Sequence, residues 1–232
     1  LTSIPVGLFD NNTEVTTFSR AFRECSSLLS VDEDLLINNL KTKSVASMFR
    51  SCSNITTFVK INHLSLLEDA SECFYGLGSN SSQVVEIPFD LIQGLSNLKN
   101  IARMLYSIRN VPDNSGSLSG AYKIPNTFFD GCNSLVDFEN LWANGNVFIE
   151  LAGLTLPTTA QKLRGFVWND GGLTYDPAYQ DIPNIVEGNT NDLSFERFCW
   201  RTGYVTGFIY RYWLDQNLSF SNTTNAFNQL PN

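Results

Sequence analysis

The chain has 232 residues, of which 43% are hydrophobic and 16% charged, and its formal net charge is −8. This apolar content is enough to bury a core, and the acidic balance argues against nucleic acid or an anionic membrane surface as a partner. No run of about 18 apolar residues is present, so we expect no transmembrane segment.

The first 58 residues repeat one pattern at a step of 27 residues. The pattern F-x-x-C-x-x-L-x-x-V, which starts at Phe22, returns at Phe49 as F-x-x-C-x-x-I-x-x-F. An apolar residue that closes each pattern, here called the anchor, recurs along the whole chain. The anchors are Ile4, Val31, Phe58, Ile87, Ile124, Leu151, Ile182 and Ile209. The chain is therefore predicted to consist of about eight units.

Each unit predicts one short strand followed by short helices. The residues that end at an anchor, such as AYKI at 121–124, are apolar or β-branched and stop at a proline, which favours a strand. Apolar residues 11, 14 and 18 positions after an anchor, such as Val15, Phe18 and Phe22, have the spacing of one helix face. A single coil cannot bury that face, so neighbouring coils must stack. The predicted fold class is an α/β solenoid with one parallel strand and short helices in each coil of about 27 residues.

We predict a single solenoid domain over residues 1–232 that is part of a longer array. Gly- and Ser-rich or irregular insertions interrupt it near 75–86, 106–122 and 152–181. Inserted loops in repeat proteins often carry binding residues, so these segments are candidate contact regions.

The stretch LTSIPVGLFDNNTEVTTFSRAFRECSSLLSV at 1–31 resembles the BspA-like leucine-rich repeat surface proteins of Bacteroidetes. The matching parts are I-P-x-x-L-F-D, V-T-x-F-x-x-x-F and C-S-S-L, and the 27-residue step is also similar. The resemblance is strong over 1–58, recognisable over 87–142 and weak over 143–181. It implies a leucine-rich-repeat solenoid, secretion or cell-surface display, and a role in protein binding or adhesion. It implies no catalytic residues.

The residues that could perform chemistry are few and scattered. The single histidine, His63, argues against a multi-histidine metal site and a Ser-His-Asp triad. A glycosidase would need two converging carboxylates, and nothing in the sequence brings such a pair together. Cys25 and Cys52 share a column, where they could form a disulfide or, as we expect, remain buried thiols. We predict no catalytic residue, no metal site, no cofactor and no enzymatic activity.

Aromatic and arginine residues crowd together near the end of the chain, and this composition is typical of binding hot spots. The candidate partner-binding residues are Tyr204, Tyr210, Arg211, Tyr212 and Trp213. The alternative is a capping unit whose bulk closes the core. Arg23 and Arg50 also share a column. This column could be a small basic stripe, or it could be the solvated face of a helix.

The sequence favours a non-catalytic binding or adhesion module on an extracellular surface, with a protein or a surface glycan as its partner. The alternative is a structural or receptor-binding component of a phage virion or surface fibre. Open solenoid ends would also permit self-association or contact with neighbouring subunits. A polysaccharide-acting β-solenoid enzyme is a third class, which would require paired acids in a cleft.

Overall fold

The computed structural model describes residues 1–109, 111, 121–143, 148–150, 154–168, 193–194 and 220–222. Its strands are β1 (Ala121–Lys123), β2 (Trp142–Ala143), β3 (Phe148–Glu150), β4 (Val167–Trp168), β5 (Leu193–Ser194) and β6 (Phe220–Asn222). They pair in parallel as β1–β3, β2–β4 and β5–β6. Each pair joins one repeat to the next, so successive repeats lie side by side in the same direction.

The predicted strand position is confirmed where β1 pairs with β3. These strands immediately precede the anchors Ile124 and Leu151, and Ala121 pairs with Phe148 at the 27-residue step. At the equivalent place in the first two repeats, a single parallel bridge joins Ser3 to Ser30.

A second and longer ladder lies where the sequence predicted helices. Single-residue parallel bridges connect equivalent positions of six successive repeats. These positions are Thr17, Ser44, Asp69, Asn100, Asp137 and Lys162. We call the segments that begin at these bridges ribs 1 to 6, and they comprise residues 17–24, 44–51, 69–76, 100–107, 137–143 and 162–168. The described part of the chain is therefore a stack of ribs.

The helix prediction is wrong for the described residues, which contain no α-helix and hence none that could cross a membrane. Alternate backbone N–H groups of each rib bond to the next rib, and the N–H groups between them make turn bonds within their own rib. The Phe18 N–H donates to the Ser44 carbonyl at 2.9 Å, and the Val45 N–H donates to the Asp69 carbonyl at 2.9 Å. Left-handed residues interrupt the helical conformation in every rib from 1 to 5, such as Arg20 with a φ of 62°.

Short polar side chains start most ribs by capping the backbone. The Asp69 carboxylate accepts a hydrogen bond from the Ser71 N–H at 3.0 Å, and the Asn100 amide oxygen accepts one from the Ala102 N–H at 2.9 Å. Thr17, Ser44 and Asp137 make the same contact to the residue two positions on. This turn is the local reason that the chain leaves the extended conformation directly after each bridge.

The core lies under the ribs and is built from the predicted apolar columns. The large residues 18 positions after the anchors, or 16 in the third repeat, are buried, as predicted for Phe22, Phe49, Phe74, Leu105 and Trp142. Consecutive rings of this column stack, with centroids 5.4 Å apart for Phe22 and Phe49. Burial of this column ties each repeat to its neighbour.

The cysteines of the described repeats are free thiols, as expected for Cys25 and Cys52, and Cys52 is buried whereas Cys25 is half-buried. The Cys52 thiol donates to the Phe22 carbonyl of the preceding rib at 3.0 Å. Burial raises the pKa of Cys52 and of Cys132 to about 12, and it also raises the pKa of Cys73. These thiols therefore stay protonated and unreactive at neutral pH.

A close approach of two glycines provides a test of the repeat spacing. Gly131 has a φ of +78°, and an added Cβ would lie 2.9 Å from the Gly94 Cα of the preceding repeat. We expect Gly131→Ala to destabilise the chain by about 2–3 kcal/mol, because backbone strain and a backbone clash add together.

Gly94→Ala is the matched control, since its φ is +81° but an added Cβ meets nothing within 4 Å. We expect about 1 kcal/mol of destabilisation from strain alone. Urea unfolding of both variants measures the difference, and equal losses would contradict the close packing of these two repeats.

Candidate functional site

The predicted partner-binding residues Tyr204, Tyr210, Arg211, Tyr212 and Trp213 lie outside the described residues, so this site stays a prediction. The predicted insertions at 106–122 and 152–181 are described only in part. A candidate surface within the described repeats is formed instead by the outward side chains of the ribs.

Four outward side chains of ribs 1 to 4 occupy one column along the stack. They are Arg23, Arg50, Tyr75 and Tyr106, and we call this column the ridge. The same register places each of them directly after the buried ring or leucine of its rib. Each ridge residue is half-buried, so its side chain has both packed and accessible surface.

The rings of the ridge are ordered by stacking. The Tyr75 and Tyr106 rings lie 4.7 Å apart between centroids with an interplanar angle of 8°. The Arg50 guanidinium lies over the Tyr75 ring, 4.7 Å from its centroid. Aromatic and cation–π contacts of this kind restrict the rotamers of the ridge side chains in the free protein. Less conformational entropy would therefore be lost if these side chains bound a partner.

A chain of alternating charges runs beside the ridge. The Glu72 carboxylate accepts hydrogen bonds from Ser47 Oγ at 2.9 Å, from Arg50 Nη1 and from Arg103 Nη1 at 3.4 Å. Glu139 continues the chain at 3.9 Å from both Arg103 and Arg164. We call these five residues, Arg50, Glu72, Arg103, Glu139 and Arg164, the charge chain. It links ribs 2 to 6 and holds Arg50, one of the two arginines of the ridge, in place.

Glu72 is the least exposed member of this charge chain, with 18% of its side chain accessible. Burial alone would raise its pKa, but hydrogen bonds from Ser47 and Arg50, and the charge of Arg50, outweigh burial and hold the pKa below its ordinary value. A carboxylate that is fully ionised at neutral pH serves as an anchor for two arginines and is poorly suited to be a general acid.

Comparisons with known proteins found no matching family model and no matching curated protein. Among solved structures, the chain is similar to a leucine-rich repeat protein from Bacteroides ovatus, with 16% identity and a TM-score of 0.26. The similarity covers 70% of this chain and 48% of that protein, so the chain spans about half of its length.

Only two of the four ridge residues could be recognised as a column in the sequence. Arg23 and Arg50 are 27 residues apart and form a recognisable pair, whereas Tyr75 and Tyr106 follow at steps of 25 and 31. The signal that recovers the correct step is the polar residue that starts each rib, because Asp69 and Asn100 show the same steps as Tyr75 and Tyr106. An alignment on the capping residue, rather than on the anchor, would have found the column.

The arrangement of the ridge can support contacts with a partner. Within the described ribs, no group of three or more His, Cys, Asp or Glu side chains converges in a way that could hold a metal ion. The carboxylates of the ridge region are paired with arginines. A row of guanidinium and phenol groups above a rigid backbone can donate hydrogen bonds and cover apolar atoms of a partner.

Proposed function

We propose that the chain is a non-catalytic leucine-rich-repeat binding module of the BspA-like type, displayed on an extracellular surface. The single observation that carries this proposal is the ridge, in which Arg50, Tyr75 and Tyr106 are stacked and half-buried on one face of the ribs. Tyrosine and arginine are, with tryptophan, the residues most enriched among the hot spots at the centres of protein interfaces. The partner proposed is therefore a protein, which the ridge would contact along the stack.

Two further features support this proposal. The ribs are joined by several hydrogen bonds at each interface, which makes the face rigid and reduces the entropy lost on binding. The thiols of Cys52, Cys73 and Cys132 are buried and protonated, so they would survive in an oxidising extracellular environment.

Binding is tested by screening the purified chain against matrix proteins, host cell-surface proteins and a glycan array. For a partner found in this way, we expect Tyr75→Ala to weaken binding by about tenfold or more, because it removes the ring between Arg50 and Tyr106. Phe89→Ala is the matched control, since its ring is 63% exposed and lies outside the ridge. We expect that variant to change affinity by less than about twofold.

A partner whose affinity is unchanged by Tyr75→Ala would show that the ridge is not the binding site. If the same affinity falls when Tyr210, Tyr212 and Trp213 are replaced by alanine, the site belongs to the aromatic segment instead. Binding only to glycans would replace the proposed protein partner with a carbohydrate. Circular dichroism of each variant checks that the loss is not caused by unfolding.

A component of a virion or surface fibre is the second candidate. In that case the chain should assemble with other subunits, which light scattering measures.

A further inference from the structure

The parallel ladder at the strand position is interrupted in the middle of the described repeats. A bridge joins Ser3 to Ser30 in repeats 1 and 2, and β1 pairs with β3 in repeats 5 and 6. The corresponding segments of repeats 3 and 4, residues 55–58 and 84–87, form no bridge with each other or with any other described segment. Two neighbouring repeats therefore face each other through strand edges that are not paired.

The backbone groups of both segments lack hydrogen bonds, although some of these residues are buried. Within the part of the chain that the structure describes, neither the N–H nor the carbonyl of Thr57, Phe58 or Val85 takes part in a hydrogen bond. Phe58 is 4% exposed and Val85 is 0% exposed, so little of either residue reaches water. Because buried backbone groups in folded proteins are nearly always paired, these groups mark a place that another backbone can complete.

A cavity of about 330 Å³ lies where the two segments face each other. Thr56 and Thr57 line it from repeat 3, Val84 and Glu86 line it from repeat 4, and Glu33 of repeat 2 completes the wall. The Val84 side chain there is 54% exposed. The cavity thus combines unpaired backbone groups with hydroxyl groups, an accessible apolar side chain and two carboxylates.

Gly78 separates the two segments near their start. An added Cβ on Gly78 would lie 3.3 Å from the Ile55 carbonyl oxygen and 2.5 Å from the Val85 side chain, so the backbone of Gly78 lies close to both segments. The Asn80 N–H donates to the Ser53 carbonyl at 2.9 Å, which fixes this backbone on repeat 3. The insertion near 75–86 therefore holds the two edges apart.

The charge around the cavity is negative. Glu33 is paired with Lys60 at 3.2 Å, whereas Glu86 is exposed and has no ionic partner among the described residues. No lysine or arginine belongs to the described residues that line the cavity. A free carboxylate beside unpaired backbone groups favours an occupant that brings both a backbone and a positive charge.

We propose that the gap between residues 55–58 and 84–87 binds an extended peptide with lysine or arginine at alternate positions. Its backbone would pair with the unpaired edges by strand addition. Alternate side chains would point outward beside Val84 and Glu86, where a cationic group suits the carboxylate, and inward toward Phe58 and Val85, where an apolar group suits the core. This site lies outside the ridge and is independent of it.

The probe is the pentapeptide acetyl-Lys-Val-Lys-Val-Lys-amide, compared with the same peptide in which glutamate replaces every lysine. Fluorescence anisotropy of the labelled peptides with the purified chain measures both affinities. We expect the basic peptide to bind at least about tenfold more tightly than the acidic one. Methylation of its internal amide nitrogens should weaken binding by about tenfold or more, because it removes the donors that a strand ladder requires.

Glu86→Lys tests whether the peptide occupies this gap. Reversal of the free charge should weaken binding of the basic peptide by about fivefold or more. Asp130→Lys is the matched control, because Asp130 is equally an exposed carboxylate but lies in repeat 5, and it should change the affinity by less than about twofold. Tyr75→Ala should leave this affinity unchanged, so a failure of the ridge and a failure of this site are distinguishable.

Hydrogen exchange shows where the peptide adds. With saturating basic peptide, we expect the amides of residues 56–58, 84–86 or both to exchange at least about tenfold more slowly than in the free chain. The proposal is overturned if the basic peptide does not bind, if amide methylation leaves its affinity unchanged, or if Glu86→Lys and Asp130→Lys have equal effects. Protection elsewhere would also overturn it, as would a dimer that protects these amides without peptide, because the occupant would then be a second copy of the chain.

Discussion

Replacing Phe49 with alanine is expected to destabilise the chain by about 3–5 kcal/mol, the largest effect of any single substitution that we consider. Phe49 is 1% exposed, and its ring stacks between Phe22 at 5.4 Å and Phe74 at 6.3 Å, measured between centroids. Its removal would leave a cavity at the junction of three repeats. Since each repeat is stabilised mainly by its neighbours, the loss would spread along the stack.

Urea unfolding followed by circular dichroism measures this loss, and Phe89→Ala is the control. Phe89 carries the same ring but is 63% exposed, so its removal should change the free energy of unfolding by no more than about 0.5 kcal/mol. Equal effects of the two substitutions would contradict a continuous aromatic column. A second, earlier transition in Phe49→Ala would indicate that repeats 1 to 3 unfold separately from the rest.

The core columns were predictable because the same positions of each repeat are buried, whether the backbone forms a helix or a series of turns. Phe18 and Phe22 were read as one helix face from their spacing, and both are indeed buried. In the ribs, however, successive turns bring the same positions inward, as shown by the bond from the Ala21 N–H to the Phe18 carbonyl at 3.1 Å. A chain of such turns has nearly the same apolar period as a helix, so the period alone could not separate them.

Two features of the sequence distinguish ribs from helices. A residue with a short polar side chain starts ribs 1 to 5, and such residues favour turns over helix interiors. Glycine also occupies left-handed positions at Gly76 and Gly165, which a helix interior would disfavour. The left-handed conformation of residues such as Arg20 was not predictable, because it is imposed by hydrogen bonds to the next repeat.

The candidate surface was also predictable from the sequence only in part. The pairing of Arg23 with Arg50 in one column followed from the 27-residue step, whereas the tyrosines of the ridge were hidden by the irregular steps that follow. The charge chain could not be read from spacing at all, because Glu72 meets Arg50 and Arg103 across two different steps. Lateral contacts depend on the register of the stack, which only the structure provides.

Glu72→Gln is the second substitution for which we expect a large effect, about 2 kcal/mol of destabilisation at pH 7. The change removes the negative charge that Arg50 and Arg103 share, and it leaves the half-buried Arg50 guanidinium without an ionic partner. Glu14→Gln is the matched control, because the Glu14–Lys41 pair is exposed on both sides. Exposed pairs contribute little, so that control should lose no more than about 0.5 kcal/mol.

The effect of Glu72 should depend on pH in a defined direction. The pKa of Glu72 in the folded chain lies below its ordinary value of 4.5, so the folded state holds the proton less tightly than the unfolded chain does. The stabilisation is therefore complete well above pH 4.5 and disappears as the pH falls through the folded pKa. Urea unfolding of the original chain and of Glu72→Gln between pH 7 and pH 3 measures the difference. The two stabilities should converge at the acidic end, and a difference that stayed constant over this range would show that the loss comes from packing rather than from the charge.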